Sequence, residues 1–141
     1  MLDTDIYAEA LKAIDSNVTR NAATYRGFHG RLTVSAITLM EITQGLSGAG
    51  AGPPRFAKFH AAVAREEVLS FNRAAADLAG WIAGDLDRIG RTIGRCDPMI
   101  AAVAITQGLE LATGNTAHYD RVRQLGFPLT LSNWRVDPAF P

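Results

Sequence analysis

The sequence has one cysteine, two lysines and no apolar run longer than Met99 to Ile105. Each shortage closes a route. A lone thiol, Cys96, forms no internal disulfide, so the chain is no disulfide-stapled secreted scaffold and fits a reducing compartment. A membrane span takes ~18 to 20 apolar residues, so no membrane partner is expected. The opening MLDTD puts acid where a signal peptide carries Lys or Arg, and no apolar stretch follows it; the expected location is the cytoplasm. Neither charge sign is in excess, with 14 Lys and Arg against 14 Asp and Glu, and this balance neither demands nor forbids a polyanionic partner. There is no internal repeat, low-complexity tract or coiled-coil heptad.

What is present suits a globular fold. At 48 % hydrophobic and 20 % charged over 141 residues, the chain is expected to be a single domain spanning 1–141. Such a length buries roughly two thirds of its unfolded surface. The basic residues are almost all arginine, and Arg88, Arg91 and Arg95 recur at helical spacing just before Asp97. Two readings stand side by side, a cationic ridge beside an acidic site and a solvated face paired with Asp85 and Asp87.

Strand and helix patterns alternate. Leu2 to Asp5 reads as the end of a strand, and Ile6, Ala10, Leu11 and Ile14 follow on a helix running to about Asn21. Leu32 to Ser35 is a β-branched run, succeeded by a helix carrying Ile37, Met40, Glu41 and Leu46 into the glycine-rich stretch Gly45 to Pro54. Arg55 to Arg65 reads as a helix and Val68 to Phe71 as a strand. Ala74 to about Arg91 is a long helix with Leu78, Trp81, Ile82 and Leu86 facing inward. Asp97-Pro98 opens a nearly all-apolar helix ending near Gly108, one that must be buried on most sides. Leu109 to Thr113 and Leu129 to Leu131 close the series as strands, with a turn at Gly114-Asn115. Strands separated by helices predict a parallel sheet covered on both faces, a three-layer α/β/α sandwich.

In such sheets function sits beyond the carboxyl ends of the strands. Asp3, Glu41, Asp97 and Asn115 fall there. Acids brought from distant parts of a chain hold hard cations such as Mg²⁺ or Mn²⁺, which favour carboxylate oxygen and retain waters for chemistry. Each also has a plain structural role open to it: Asp97 as the N-cap of a proline-opened helix, Glu41 in a capping box with Thr38, Asp3 as a frayed terminal acid. Thr4, Ser35, Thr113 and Thr116 offer hydroxyls nearby, of which Thr4 and Thr116 are the preferred supporting residues. For His118 and Cys96, structural roles are expected: no second histidine stands at zinc spacing and no Cys-His pair is evident. Trp81, Phe56 and Phe59 suit either a core or an interface.

These residues resemble those of the PIN domains, and within them the VapC and FitB type of toxin–antitoxin ribonuclease. LDTD at 2 to 5 is similar to the family's opening segment, VSAITLMEITQG at 34 to 45 to its Ser-x-x-Thr-x-x-Glu, and CDPMIAAVAI at 96 to 105 to its Asp-x-x-Ile-Ala-Ala. TGNTAHYDRV at 113 to 122 resembles its Thr-x-Asn-x-x-x-Phe, and LSNW at 131 to 134 its common ending. The resemblance implies a PIN-like fold and an Mg²⁺- or Mn²⁺-dependent endoribonuclease. Asp3, Glu41 and Asp97 would be its metal-binding acids, and Asn115 stands where many members have a fourth acid. Asp120 is a weaker candidate for that place. The implied partners are an RNA substrate, a cognate antitoxin protein and a second copy of the chain. Two departures are visible: the neutral Asn115, and only Met1 and Leu2 ahead of Asp3 where the family has several apolar residues. Two competing readings remain at this point. Asp3-Thr4-Asp5 looks like the Asp-x-Asp of haloacid-dehalogenase-type phosphatases, with Asp3 as nucleophile and Asp5 as acid/base. The other is a PIN-like module that binds RNA or protein without catalysis.

Overall fold

The computed structural model describes residues 1–138. The last three residues of the expected 1–141 domain lie outside the described part. Seven helices and four short strands alternate through it: α1 (Thr4–Lys12), α2 (Ser16–His29), β1 (Thr33–Ser35), α3 (Ala36–Gly48), α4 (Pro53–Val63), β2 (Glu67–Leu69), α5 (Arg73–Arg88), α6 (Asp97–Thr106), β3 (Leu111–Ala112), α7 (Thr116–Gln124) and β4 (Leu131–Ser132).

β1 pairs in parallel with β2, and β3 with β4. Leu2 joins the two pairs, bridging Val34 on one side and Ala112 on the other, both in parallel. The centre of the sheet is therefore held by one residue in place of a full strand. Its backbone fixes the register from both sides, through Leu2 N–H to Thr33 O at 2.8 Å, Asp3 N–H to Ala112 O at 2.9 Å and Ala112 N–H to Met1 O at 2.9 Å.

Helices cover both faces, as the expected α/β/α sandwich requires. Successive residues of an extended segment point to opposite faces. Leu2, Val34 and Ala112 accordingly join Ile6, Tyr7, Val18 and Trp134 in one core, while Met1 and Leu111 join Ile82, Leu86, Ile100 and Val103 in the other. The apolar helix α6 is buried as its composition demands, with Ile100 to Ala104 all inaccessible to solvent. Among the described residues no helix is long and apolar enough to cross a membrane.

Several local expectations are corrected. The single helix to Asn21 is two: Asp15 accepts from the N–H groups of Asn17 and Val18 at 2.8 and 2.9 Å and starts α2 afresh, with Ala13 at φ 51 in the joint. Ile14 is thereby pushed out and stands 68 % exposed. α5 stops at Arg88 because Gly90 turns left-handed at φ 65, and Arg91 N–H reaches back to Leu86 O at 2.9 Å. No arginine ridge forms along a helix; Arg88 pairs with Asp85, and Arg91 donates to Gln124. Trp81 lies outside the buried stripe of Ala75, Ala79, Ile82 and Leu86 and is exposed, whereas Phe59 is in the core.

Candidate metal centre

Asp3 leaves the sheet centre and caps α1, its Oδ1 accepting Thr4 N–H at 2.8 Å. Its other oxygen, Oδ2, takes the Thr113 hydroxyl at 2.7 Å from the end of β3. That hydroxyl oxygen in turn accepts Asn115 N–H at 3.0 Å. The first acid is thus tied to the loop after the third strand. Asp3 is buried, and burial pushes its carboxyl up from 3.8 to about 6. The Thr113 hydrogen bond opposes the rise, while the charges of Asp5 and Asp97 add to it.

Glu41 enters from the second turn of α3. The helix is capped by Ser35, which accepts Thr38 N–H at 3.1 Å, so no capping box forms between Thr38 and Glu41. Freed from that role, Glu41 accepts the hydroxyl of Thr4, the residue that follows Asp3. Asp97 is also not a cap. Cys96 occupies the N-cap position of α6 and Asp97 is the first helical residue, with Oδ2 accepting Gly94 N–H at 3.2 Å. Cys96 stands in the fields of Glu41 and Asp97, and burial, with Glu41 next, raises its thiol above the ordinary range.

Asn115 and Asp97 meet across His118. Asp97 Oδ2 and the Asn115 amide lie 3.0 and 2.7 Å from His118 Nδ1. One ring nitrogen cannot donate to a carboxylate and accept from an amide N–H together. A proton on Nδ1 shared with Asp97 therefore requires Asn115 to turn its oxygen to the ring. Asn115 reaches the acids through His118 and Thr113. Of the supporting threonines, Thr4 joins the network, and Thr116 is half-buried on the opening turn of α7. Asp120 is not brought in: its carboxylate accepts from Arg123 at 2.9 Å and is about half exposed.

Behind the acids stands a residue that sequence reasoning passed over. Tyr119 is wholly buried, and its hydroxyl has no hydrogen-bond partner among the described residues. Asp3, Asp97 and Glu41 are near enough for their charges to act on it, and Asp3 near enough to interact as an acceptor, without the distance and angle of a formed hydrogen bond. Burial first, and those carboxylates next, hold the phenol well above its ordinary range. An unsatisfied buried hydroxyl costs about 1 to 3 kcal/mol. The available signal was its place in the Thr-x-Asn-x-x-x-Phe pattern, where this chain carries Tyr.

The charges of Asp3, Asp97 and Glu41 all act on this one phenol. Among the described residues no three His, Cys, Asp or Glu side chains close to direct metal-holding spacing. The donor set nonetheless suits a hard divalent cation, with carboxylate oxygens, no thiolate and a buried, partnerless hydroxyl within the field of the acids. Cation affinity should fall about tenfold per pH unit below about 6 as Asp3 takes a proton. In the cation-free protein the same raised value works the other way. Asp3 contributes stability that is full below 3.8 and is lost as pH rises through about 6, a difference of about 3 kcal/mol. Thermal unfolding in EDTA between pH 4 and 8 should show wild type losing stability relative to Asp3→Asn over that window; parallel curves would contradict it.

The rim beside Asp3 is braced from the chain's end. Asp5 Oδ1 accepts Ile6 N–H, and its Oδ2 takes Gly114 N–H and Arg135 Nη2, both at 3.0 Å. Arg135 also donates to Glu9 at 2.7 Å. A Cβ on Gly114 would stand 1.5 Å from Arg135 Nη1, so only glycine admits the guanidinium there. Gly114→Ala should expel Arg135 from Asp5 and cost about 1 kcal/mol in denaturant unfolding, since the pair is one-third exposed. An unchanged midpoint would show that the contact contributes nothing.

Comparison with known proteins fits this geometry. The PIN domain family model matches residues 1–124, and the chain belongs to that family. The tRNA(fMet)-specific endonuclease VapC of Shigella flexneri is 34 % identical over 122 residues, covering 86 % of this chain and 90 % of that protein. Ribonuclease VapC2 of Haemophilus influenzae is 30 % identical, covering 95 % and 96 %. Among solved structures, DNA-bound VapBC from Salmonella typhimurium superposes with a TM-score of 0.79 at 29 % identity, covering 95 % of this chain and 96 % of that one. The expected PIN fold and the kinship with VapC ribonucleases are borne out.

Proposed function

We propose that this chain is a divalent-metal-dependent endoribonuclease of toxin type, using Mg²⁺ or Mn²⁺, with Asp3, Glu41 and Asp97 as the metal-binding acids and Asn115 completing the site through His118. The observation that carries the reading is one hydrogen-bonded chain linking three acids from the sheet centre, α3 and α6: Glu41 to the Thr4 hydroxyl, Thr4 N–H to Asp3, Asp3 through Thr113 to Asn115, and Asn115 through His118 to Asp97. A bound cation would activate a water, polarise the scissile phosphate and offset charge developing on it. The protein's own part is positional. Thr113 and Thr4 N–H orient Asp3, Thr4 orients Glu41, and His118 orients Asp97. Burial of Asp3 among acids costs stability in the cation-free chain, an expense that a resident cation offsets and that a non-catalytic binding module has no reason to keep. Asp5 has both oxygens committed to Ile6, Gly114 and Arg135, which leaves it unfit as a phosphatase acid/base.

The proposal includes a cognate antitoxin protein as partner, in keeping with the VapBC complexes that resemble this chain, and, from the family resemblance, a homodimer as working form, the cytoplasm as location and a single 1–141 domain. Purified chain should cleave structured RNA, initiator tRNA among the substrates, in Mg²⁺ or Mn²⁺ and not in EDTA. RNA left intact in both cations would contradict the proposal.

A further inference from the structure

We infer that Tyr119 is a positioning residue of the acidic site, its hydroxyl donating to Asp3 when that carboxylate carries a cation. The inference rests on the metal-dependent reading above. It starts from a difference of one atom, since the family pattern the segment resembles ends in Phe where this chain has Tyr at 119. Tyr119 packs wholly inside the core that also holds Ile100 and Val103, and the aromatic ring of either residue fills that space. Packing explains the ring and leaves the hydroxyl unexplained.

Two buried phenols lack partners among the described residues, and their surroundings differ. Tyr7 lies near Arg26 and Glu66, which already pair with each other. Tyr119 lies near Asp3, Asp97 and Glu41; Asp3 and Glu41 accept from hydroxyls, and Asp97 pairs with His118. α7 places it there by its start. Asn115 stands at the N-cap position of the helix after the β3 loop, and the next residues carry His118 to Asp97 and Tyr119 into the core. Each Asp3 oxygen takes one donor already, Thr4 N–H on Oδ1 and the Thr113 hydroxyl on Oδ2, and each retains a lone pair. A phenol O–H on one of these and a cation on the other would fill the carboxylate and fix its rotation. A third donor on Asp3 is a support that the Phe of the family pattern does not supply.

Tyr119→Phe removes the hydroxyl and keeps the ring. Calorimetric titration with Mn²⁺ at pH 7.5 should show the dissociation constant rising about ten- to a hundredfold, as for loss of an outer-sphere partner. Thermal unfolding of the same variant in EDTA should show a midpoint equal to wild type or above it, because a partnerless buried group has been removed. Unchanged Mn²⁺ affinity beside a wild type that binds Mn²⁺, or earlier unfolding in EDTA, would overturn the inference and make the hydroxyl a structural one. A wild type that binds no Mn²⁺ would overturn the metal-dependent reading and this inference with it.

Discussion

Asp97→Asn should lower metal-dependent RNA cleavage by roughly a thousandfold while leaving the chain folded. The size follows from what a correctly held cation contributes to phosphodiester hydrolysis, several kcal/mol of transition-state stabilisation at about 1.4 kcal/mol per tenfold in rate. Folding should survive because Asp97 is the first residue of α6 and not its cap, its N–H still donates to Gly94 O, and the Gly94 N–H that its side chain accepts at 3.2 Å is retained by an amide oxygen. Pro98 keeps the helix start in place. Circular dichroism with a gel-based cleavage assay separates the two effects. Equal rates in variant and wild type would remove Asp97 from the site; a variant that fails to fold would assign it a structural role.

Leu2→Ala should have the opposite profile, with about 3 kcal/mol lost from stability and cation affinity kept. Leu2 is 2 % exposed and lies in the core with Ile6, Val18 and Trp134, so its truncation leaves a cavity that the sheet centre cannot close. For a chain of this length the melting temperature should drop by about 10 °C. Asp3 is held by other means, since main-chain bonds to Thr33 and Ala112 persist without the Leu2 side chain. Mn²⁺ titration well below the transition should therefore match wild type. Binding lost together with stability would mean that side-chain packing, and not the backbone bridge, places the acid.

Much of this fold was legible because it rests on periodicity. The apolar run of α6, the β-branched 33–35 segment and the strand-then-helix alternation each state a local preference that packing agrees with. The failures come from competition between nearby signals. Asp15 captures two N–H groups and splits a pattern that apolar spacing alone reads as one helix. Gly90 ends α5 before an arginine spacing that continues beyond it. Trp81, aromatic and adjacent to Ile82, lies one residue off the buried stripe, a distinction that composition cannot make.

The site divides in the same way. The placing of Asp3, Glu41 and Asp97 at one end of the sheet was readable because the strand ends of a parallel sheet share a side whatever the loops do. The groups that orient them were not, since they depend on which donor is nearest in space. Thr38 has the spacing to partner Glu41, yet Thr4, far off in sequence, makes the bond. His118 has Asn115 as a local neighbour and meets Asp97 only when α6 and α7 pack. Tyr119 reads as core, which its ring is, and only the buried, partnerless hydroxyl sets it apart.

Calorimetric titration of the metal-free chain with Mn²⁺ at pH 7.5, run beside Asp3→Asn, Glu41→Gln and Asp97→Asn, probes the convergence of the three acids. Saturable binding in wild type that weakens in all three variants is the expected result. A wild type without binding, or variants that bind as it does, would contradict the assignment of these acids to a common metal site.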